Sequence, residues 1–213
     1  MSAFEQIREL PSFRRAKDEI VSRKTVGKIL EAGRNAPSPG NVQSVEFIVV
    51  EDDSRKEMLH RATQDERVNE APTAILVLSD IDRLRRRVGD GAEKVAYSET
   101  ATAVQNMRIV AAEEGLASAW LGGFDEVQVG EKFSVPREKK VLAVVLLAYT
   151  DDPVYADGSF DLNEIAYYDK YDNQVASFWD EPGWRGLREE SRIHGKKAKG
   201  FTQLLRDKLD NLL

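Results

Sequence analysis

The sequence predicts an α/β or α+β domain in which one mixed sheet is covered by helices, and three observations predict it. Two apolar runs, "APTAILVLSD", opening after Pro72, and "KVLAVVLLAYTD", have the length and continuity of strands buried on both faces. A long helix is expected from about Tyr97 to Glu114, where Ala101, Val104, Met107 and Ala111 form one stripe and Gly115 stands at the C-terminal cap. Helical and strand patterns alternate along the chain.

The remaining elements follow in order. Val26, Ile29, Leu30 and Gly33 mark one side of an amphipathic helix over Thr25 to Asn35. "VEFIVVED" is β-branched and aromatic, hence a strand. Arg55 to Thr63 is a short helix, and "RLRRRVGDGAEK" is a loop or a solvated helix. "LASAWLGGFD" is a short strand running into a Gly-Gly turn. After Tyr171 the composition changes: "FWDEPGWRGLREESRIHGKKAKG" mixes Trp, Gly, Pro and charge, and "FTQLLRDKLDNLL" closes as an amphipathic helix. The expected organisation is a domain over 1–171 and an extension over 172–213 that packs on the partner subunit or over the site.

Composition narrows the chemistry. The 213 residues suit one compact domain with an extension, and 41% hydrophobic residues supply a sizeable core. A net charge of -6 argues against nucleic acid or an anionic membrane as partner, since both demand a basic face. The absence of cysteine excludes disulfides, thiolate metal sites and a Cys nucleophile. His60 and His194 have no metal-ligand spacing, so no metal is expected. The N-terminus has no apolar signal core and no apolar run nears the roughly 20 residues of a membrane span, so a soluble, cytoplasmic protein is expected.

Side-chain catalysis is poorly served. The chain has no G-x-S-x-G elbow, no H-E-x-x-H, no G-K-[ST] and no G-x-G-x-x-G. An enzyme with this inventory relies on a bound cofactor that the protein positions and tunes. Several segments suit a flat, phosphorylated one. In "RNAPSPGNVQSVEF", Pro37, Pro39 and Gly40 let backbone approach a planar ring while Ser38 and Asn41 offer donors and acceptors; taken alone, the same stretch is a helix end entering a strand. "LGGF" admits a ligand beside glycines or is a tight strand-end turn. Ser12 and Arg14 can hold a phosphate, or Arg14 is a surface cation.

Together these pieces resemble the FMN-dependent nitroreductase family over roughly Phe4 to Tyr171. "LPSFRR" is similar to the family's R-x-S-x-R-like start, and "EAGRNAPSPGNVQSVEFIVV" to its helix ending A-R-x-A-P-S-S-x-N-x-Q-P. "ATAVQNMRIVAAEEGLASAWLGGF" resembles the family's central helix and glycine turn most closely, and "FDLNEIAYYDKYD" its closing segment. The resemblance implies an α+β, three-layer α/β/α fold with a mainly antiparallel central sheet, in an intertwined homodimer whose two FMN sites are built from both subunits. It places Ser12 and Arg14 at the phosphate and ribityl chain. Pro37, Ser38, Pro39 and Asn41 match residues lining the isoalloxazine, partly from the partner chain, with Gln43 at the next motif position. Gly122 and Gly123 match the turn approaching the ring near its reactive nitrogen, and Arg67 falls near a cation toward the pyrimidine edge. The implied activity is ping-pong: hydride from NADH or NADPH to flavin N5, then reduction of a nitroaromatic, quinone or related small-molecule acceptor. No protein nucleophile is implied. The alternative is a flavin-fold dimer with lost or altered redox activity, acting in ligand binding or regulation.

The chain departs from the family pattern at the phosphate. Leu10 replaces the first Arg of the opening motif, and Ser159 and Phe160 stand where a cation precedes the closing segment. Each charge-assisted contact contributes on the order of 1.5–3 kcal/mol, so losing two weakens FMN by roughly two to four decades. Arg15 is one candidate replacement, and Arg185, Arg188 and Lys196 are others. Ser44 also replaces a usual Pro, with Val45 where an aromatic is common.

Overall fold

A computed structural model describes residues 3–156 and 160–173. The chain divides into two units, Met1–Ala156 and Asp157–Leu213. Ser159, Arg185, Arg188, Lys196 and the closing amphipathic helix lie outside the described residues.

In the first unit, the helices are α1 (Ala3–Arg8), α2 (Arg23–Arg34), α3 (Asp53–Thr63), α4 (Arg67–Glu70), α5 (Ile81–Val88), α6 (Ala92–Glu113) and α7 (Glu126–Lys132). Strands β1 (Val45–Val50), β2 (Thr73–Asp80), β3 (Ala117–Leu121) and β4 (Lys139–Ala148) form one sheet in the order β1-β2-β4-β3. Every neighbouring pair is antiparallel, so the mixed sheet expected from the alternation is corrected to the antiparallel one that the resemblance implied. The physical reason is that apolar runs report burial and carry no direction. A long connection through α5 and α6 lets β3 land at the edge, and β4 then returns between β2 and β3.

The central strands are buried on both faces, as their continuity predicts. Leu76, Leu78, Val144 and Leu146 pack with Phe13, Leu59 and Val68 on one side. Ile75, Val77, Val145 and Leu147 pack with Ile29 and Met107 on the other. Burying one such aliphatic side chain stabilises by roughly 1.5–3 kcal/mol, so this pair of layers fixes where the sheet edges lie.

Caps set the helix starts: Ser22 accepts from Thr25 N (3.1 Å), Asp52 from Arg55 N (3.1 Å), Asp80 from Arg83 N (2.8 Å) and Asp125 from Gln128 N (2.9 Å). Gly115 at φ +79° ends α6 as expected. The "RLRRRV" stretch resolves to the helical alternative, with Ile81 and Leu84 inward and its arginines outward. Helix α7, which buries Val129 alone, gave too short an apolar stripe to be foreseen. In the second unit α8 (Leu162–Ile165) starts where Glu164 accepts the Asp161 N–H (3.2 Å), and Phe160 is exposed. Among the described residues no helix is long and apolar enough to cross a membrane.

Candidate functional site

The candidate residues fall into two groups on opposite edges of the sheet. The first lies along β3. Pro11 O accepts from Ser118 N (2.9 Å), and Ser12 exchanges two backbone hydrogen bonds with Val154 (2.7 and 2.8 Å). Phe13 is buried in the core, so in this extended stretch its neighbours Ser12 and Arg14 face away from the core. Ser12 is half-buried and Arg14 and Arg15 are exposed. Arg15 O accepts the Thr150 hydroxyl (2.9 Å), which pins the far end of the segment.

Gly122 and Gly123 follow β3 directly. A Cβ on Gly123 would meet nothing within 4 Å, and one on Gly122 only the Trp120 indole nitrogen at 3.8 Å. The chain's own packing therefore does not require glycine at either position. Gly33 is the contrast: a Cβ there would meet Phe47 at 2.8 Å and Met107 at 2.9 Å.

The second group precedes β1. Residues 39–41 make a 3₁₀ turn with Gly40 at φ +60°, and Asn41 (φ +58°) and Gln43 (φ +52°) also take left-handed backbone. Non-glycine residues there store about 1–2 kcal/mol each and persist only where neighbours over-determine them. The neighbours are specific. Ser38 Oγ accepts from Gln43 N (2.8 Å), and Arg83 donates to Gln43 O (2.7 Å) while pairing with Glu46 (2.9 Å). The Arg87 guanidinium packs on Gly40, where a Cβ would lie 2.5 Å from its Nε. Pro37, Pro39 and Asn41 are exposed.

Beneath this loop runs a buried polar chain that sequence reasoning missed. Ser44, fully buried, donates to the Glu99 carboxyl group and lies 2.9 Å from Ser79 Oγ. Ser44 donates to Glu99, so Ser79 is the donor to Ser44. Glu99 Oε1 has no hydrogen-bond partner among the described residues, and Glu99 lines a small cleft with Gly33, Pro37, Ser38 and Gln43. Ser44 at the usual Pro position thus anchors the loop to α6. The signal available in sequence was that one departure, and its partner lies 55 residues away.

Arg67 starts α4 and forks onto Asp65, with Nε at 2.9 Å and Nη2 at 2.6 Å. This guanidinium holds the Asp65 carboxyl below the usual carboxylate range. Helix α4 touches the segment after Arg15, since Ala16 N donates to Glu70 (3.4 Å). The structure therefore groups Ser12, Arg14, Arg15, Gly122 and Gly123 along the β3 edge, with α4 beside that segment. It groups Pro37, Ser38, Pro39, Asn41 and Gln43 at the β1 edge. Three interstrand spacings separate the edges, about 14 Å.

A chain with this antiparallel scaffold has the fold of the nitroreductases. The nitroreductase family model matches residues 7–65 and 55–149, and the chain belongs to that family of oxidoreductases. It is 31% identical over 146 residues to a protein of Archaeoglobus fulgidus provisionally named NADH dehydrogenase/NAD(P)H nitroreductase, covering 66% of this chain and 81% of that one. A nitroreductase family protein of Clostridium difficile superposes with a TM-score of 0.71 at 28% identity, covering 80% of this chain and 99% of that chain. NfrA2 of B. megaterium shares the fold at a TM-score of 0.74 and 21% identity, covering 80% and 76%.

Proposed function

We propose that this protein is an FMN-dependent oxidoreductase acting as a homodimer, which takes hydride from NADH or NADPH and reduces a nitroaromatic, quinone or related small acceptor. The observation that carries the reading is the open space over Gly122 and Gly123 at the end of β3, the strand whose Ser118 holds the Ser12–Arg14 segment through Pro11 O. Glycines that nothing in the chain demands are accounted for by a ligand that needs backbone at close approach. The separation of the two groups by the width of the sheet supports the dimer, because a second copy would bring its own 37–43 loop to the β3 edge. Exposed Phe4 and Ile7 on α1, Tyr97 on α6 and Trp120 on β3 supply apolar surface for that contact.

Bound FMN supplies hydride acceptance and release at its N5. The chain's own contribution is positional. Backbone N–H groups at Gly122–Gly123 orient the ring and donate hydrogen bonds to it. Ser12 and Arg14 hold the polar tail, and the strained 37–43 loop walls the ring from the other subunit. The exposed side-chain amides of Asn41 and Gln43, without a hydrogen bond among the described residues, serve its polar edge. The A. fulgidus relative, named for both NADH and NAD(P)H, supports a nicotinamide donor.

Anaerobic titration of the purified protein with NADH and NADPH, followed by visible absorbance, tests the proposal. A bound flavin band that bleaches with either donor supports it. A protein that takes up no FMN overturns it. A bound flavin that neither donor bleaches favours the regulatory alternative instead.

A further inference from the structure

By the resemblance, two cations that would meet the FMN phosphate are replaced here, by Leu10 and by Ser159 or Phe160, and the fold brings another cation to the β3 edge. Arg108 lies on α6, and its Nε donates to Ser118 Oγ at 3.3 Å. Ser118 is the residue whose N–H holds Pro11 O, one position from Ser12. Arg108 thus stands over the junction of β3 with the Pro11–Ser12 segment, although it lies 96 positions beyond Ser12 in the sequence.

The state of this guanidinium is unusual. Arg108 is half-buried, and no carboxylate lies within ion-pair distance of it among the described residues. Arg83 is neutralised by Glu46 and Asp80, Arg67 by Asp65 and Arg34 by Glu31, while Arg14, Arg15 and Arg87, which have no ion pair among the described residues, are exposed to water. Burial alone draws the Arg108 pKa below the ordinary guanidinium range, with no compensating charge. Taking a guanidinium out of water with one neutral hydrogen bond is costly unless an anion completes it. Its remaining N–H donors form a planar fork suited to a phosphate.

Resting on the flavin reading above, we infer that Arg108 holds the phosphate of the bound flavin, replacing a cation lost at Leu10. Ser12 gives the neutral hydrogen bond, Arg14 an exposed charge, and Arg108 the desolvated charge from α6. The half-buried position makes it the strongest of the three, because screening by solvent is least there.

The test compares FMN with riboflavin, which has the same ring and ribityl chain and no phosphate. Wild type, Arg108→Met and Arg108→Lys are titrated with each flavin by fluorescence quenching, and their oligomeric state is measured by analytical ultracentrifugation. The expected result is a ten- to hundredfold loss of FMN affinity in Arg108→Met with riboflavin affinity unchanged, which abolishes the preference for FMN. Arg108→Lys retains part of the preference, and serves alone should the Met variant fail to fold. Parallel losses for FMN and riboflavin, or a shift to monomer, would mean that Arg108 pairs with the partner subunit and overturn the inference. Unchanged FMN affinity overturns it as well, while leaving the flavin reading intact. A wild type that binds neither flavin overturns both.

Discussion

The two sheet edges carry opposite kinds of construction. The loop before β1 and the helix leading into it are explained by the chain itself: Gly33 is demanded by Phe47 and Met107, Gly40 by its φ of +60°, and the strained backbone at Gln43 is held by Ser38 and Arg83. The β3 edge is not explained by the chain. Its glycines meet almost nothing, its arginines at 14 and 15 are exposed, and Arg108 has no counter-ion among the described residues. A loop largely fixed by its own chain on one edge and an open turn on the other is what the proposed shared site requires, one copy's loop completing the other copy's seat.

The largest effect should come from splitting those halves. Gly123→Trp fills the seat and Asn41→Trp fills the wall, so each homodimer should lose flavin binding entirely. Mixing the two under subunit exchange creates heterodimers with one doubly altered site and one intact site. At random exchange, about a quarter of all sites should recover FMN, read as bound flavin per subunit. If binding stays at zero after exchange is demonstrated, both halves act within one chain and the contrast collapses.

Glycine substitutions sharpen it next. Gly33→Val overpacks α2 against Phe47 and Met107 and should cost about 2–3 kcal/mol, a fall in Tm of roughly 5–10 °C. Gly123→Val meets open space and should leave the ligand-free Tm within about 2 °C while removing flavin binding. Equal thermal losses in both would mean that the β3 turn is also set by internal packing.

The Ser79–Ser44–Glu99 chain ranks below these. Ser44→Ala leaves the buried Glu99 carboxyl group without its donor, at about 1–3 kcal/mol, while Ser79 also loses its acceptor. Thermal melting should show a drop of several degrees, with faster amide exchange at Asn41 and Gln43. A drop in Tm without loosened exchange would separate core stability from loop support.

How much of this was legible in sequence follows from what each signal encodes. β2 and β4 were legible because an unbroken apolar run reports burial on both faces, and Leu76/Val77 or Val144/Val145 do face opposite layers. Strand direction was not, since the same runs fit a parallel or an antiparallel ladder. The loop at 37–43 and the Gly122–Gly123 turn were legible as small-residue breaks. Arg108 and Glu99 were not: Glu99 sits on α6 off the apolar stripe, and Arg108, at i+4 from Val104, interrupts that stripe with a charge whose partner the pattern does not name. What gives them meaning, Ser118 beside Pro11 and Ser44 beside Ser79, is contact between distant segments.

The smallest expected effect concerns Arg67, which belongs by position to the β3 side but is occupied by Asp65. A cation already committed to a two-point fork has little left for a ligand, so Arg67→Met should change FMN affinity by less than about threefold, well below Arg108→Met. Its cost should be thermal and pH-dependent instead. The Asp65 pKa is lowered in the folded state, chiefly by the Arg67 hydrogen bond. The stabilisation is therefore present above the unfolded value near 4 and is lost as pH falls through the lowered folded value. The pair is partly exposed, so the discounted contribution is below about 1 kcal/mol. Wild type should melt roughly 1–3 °C above Arg67→Met at pH 7, and the gap should narrow as the pH drops below about 4. A large loss of FMN affinity at unchanged Tm would instead show that Arg67 leaves Asp65 when ligand arrives, and would add it to the unsatisfied side of the site.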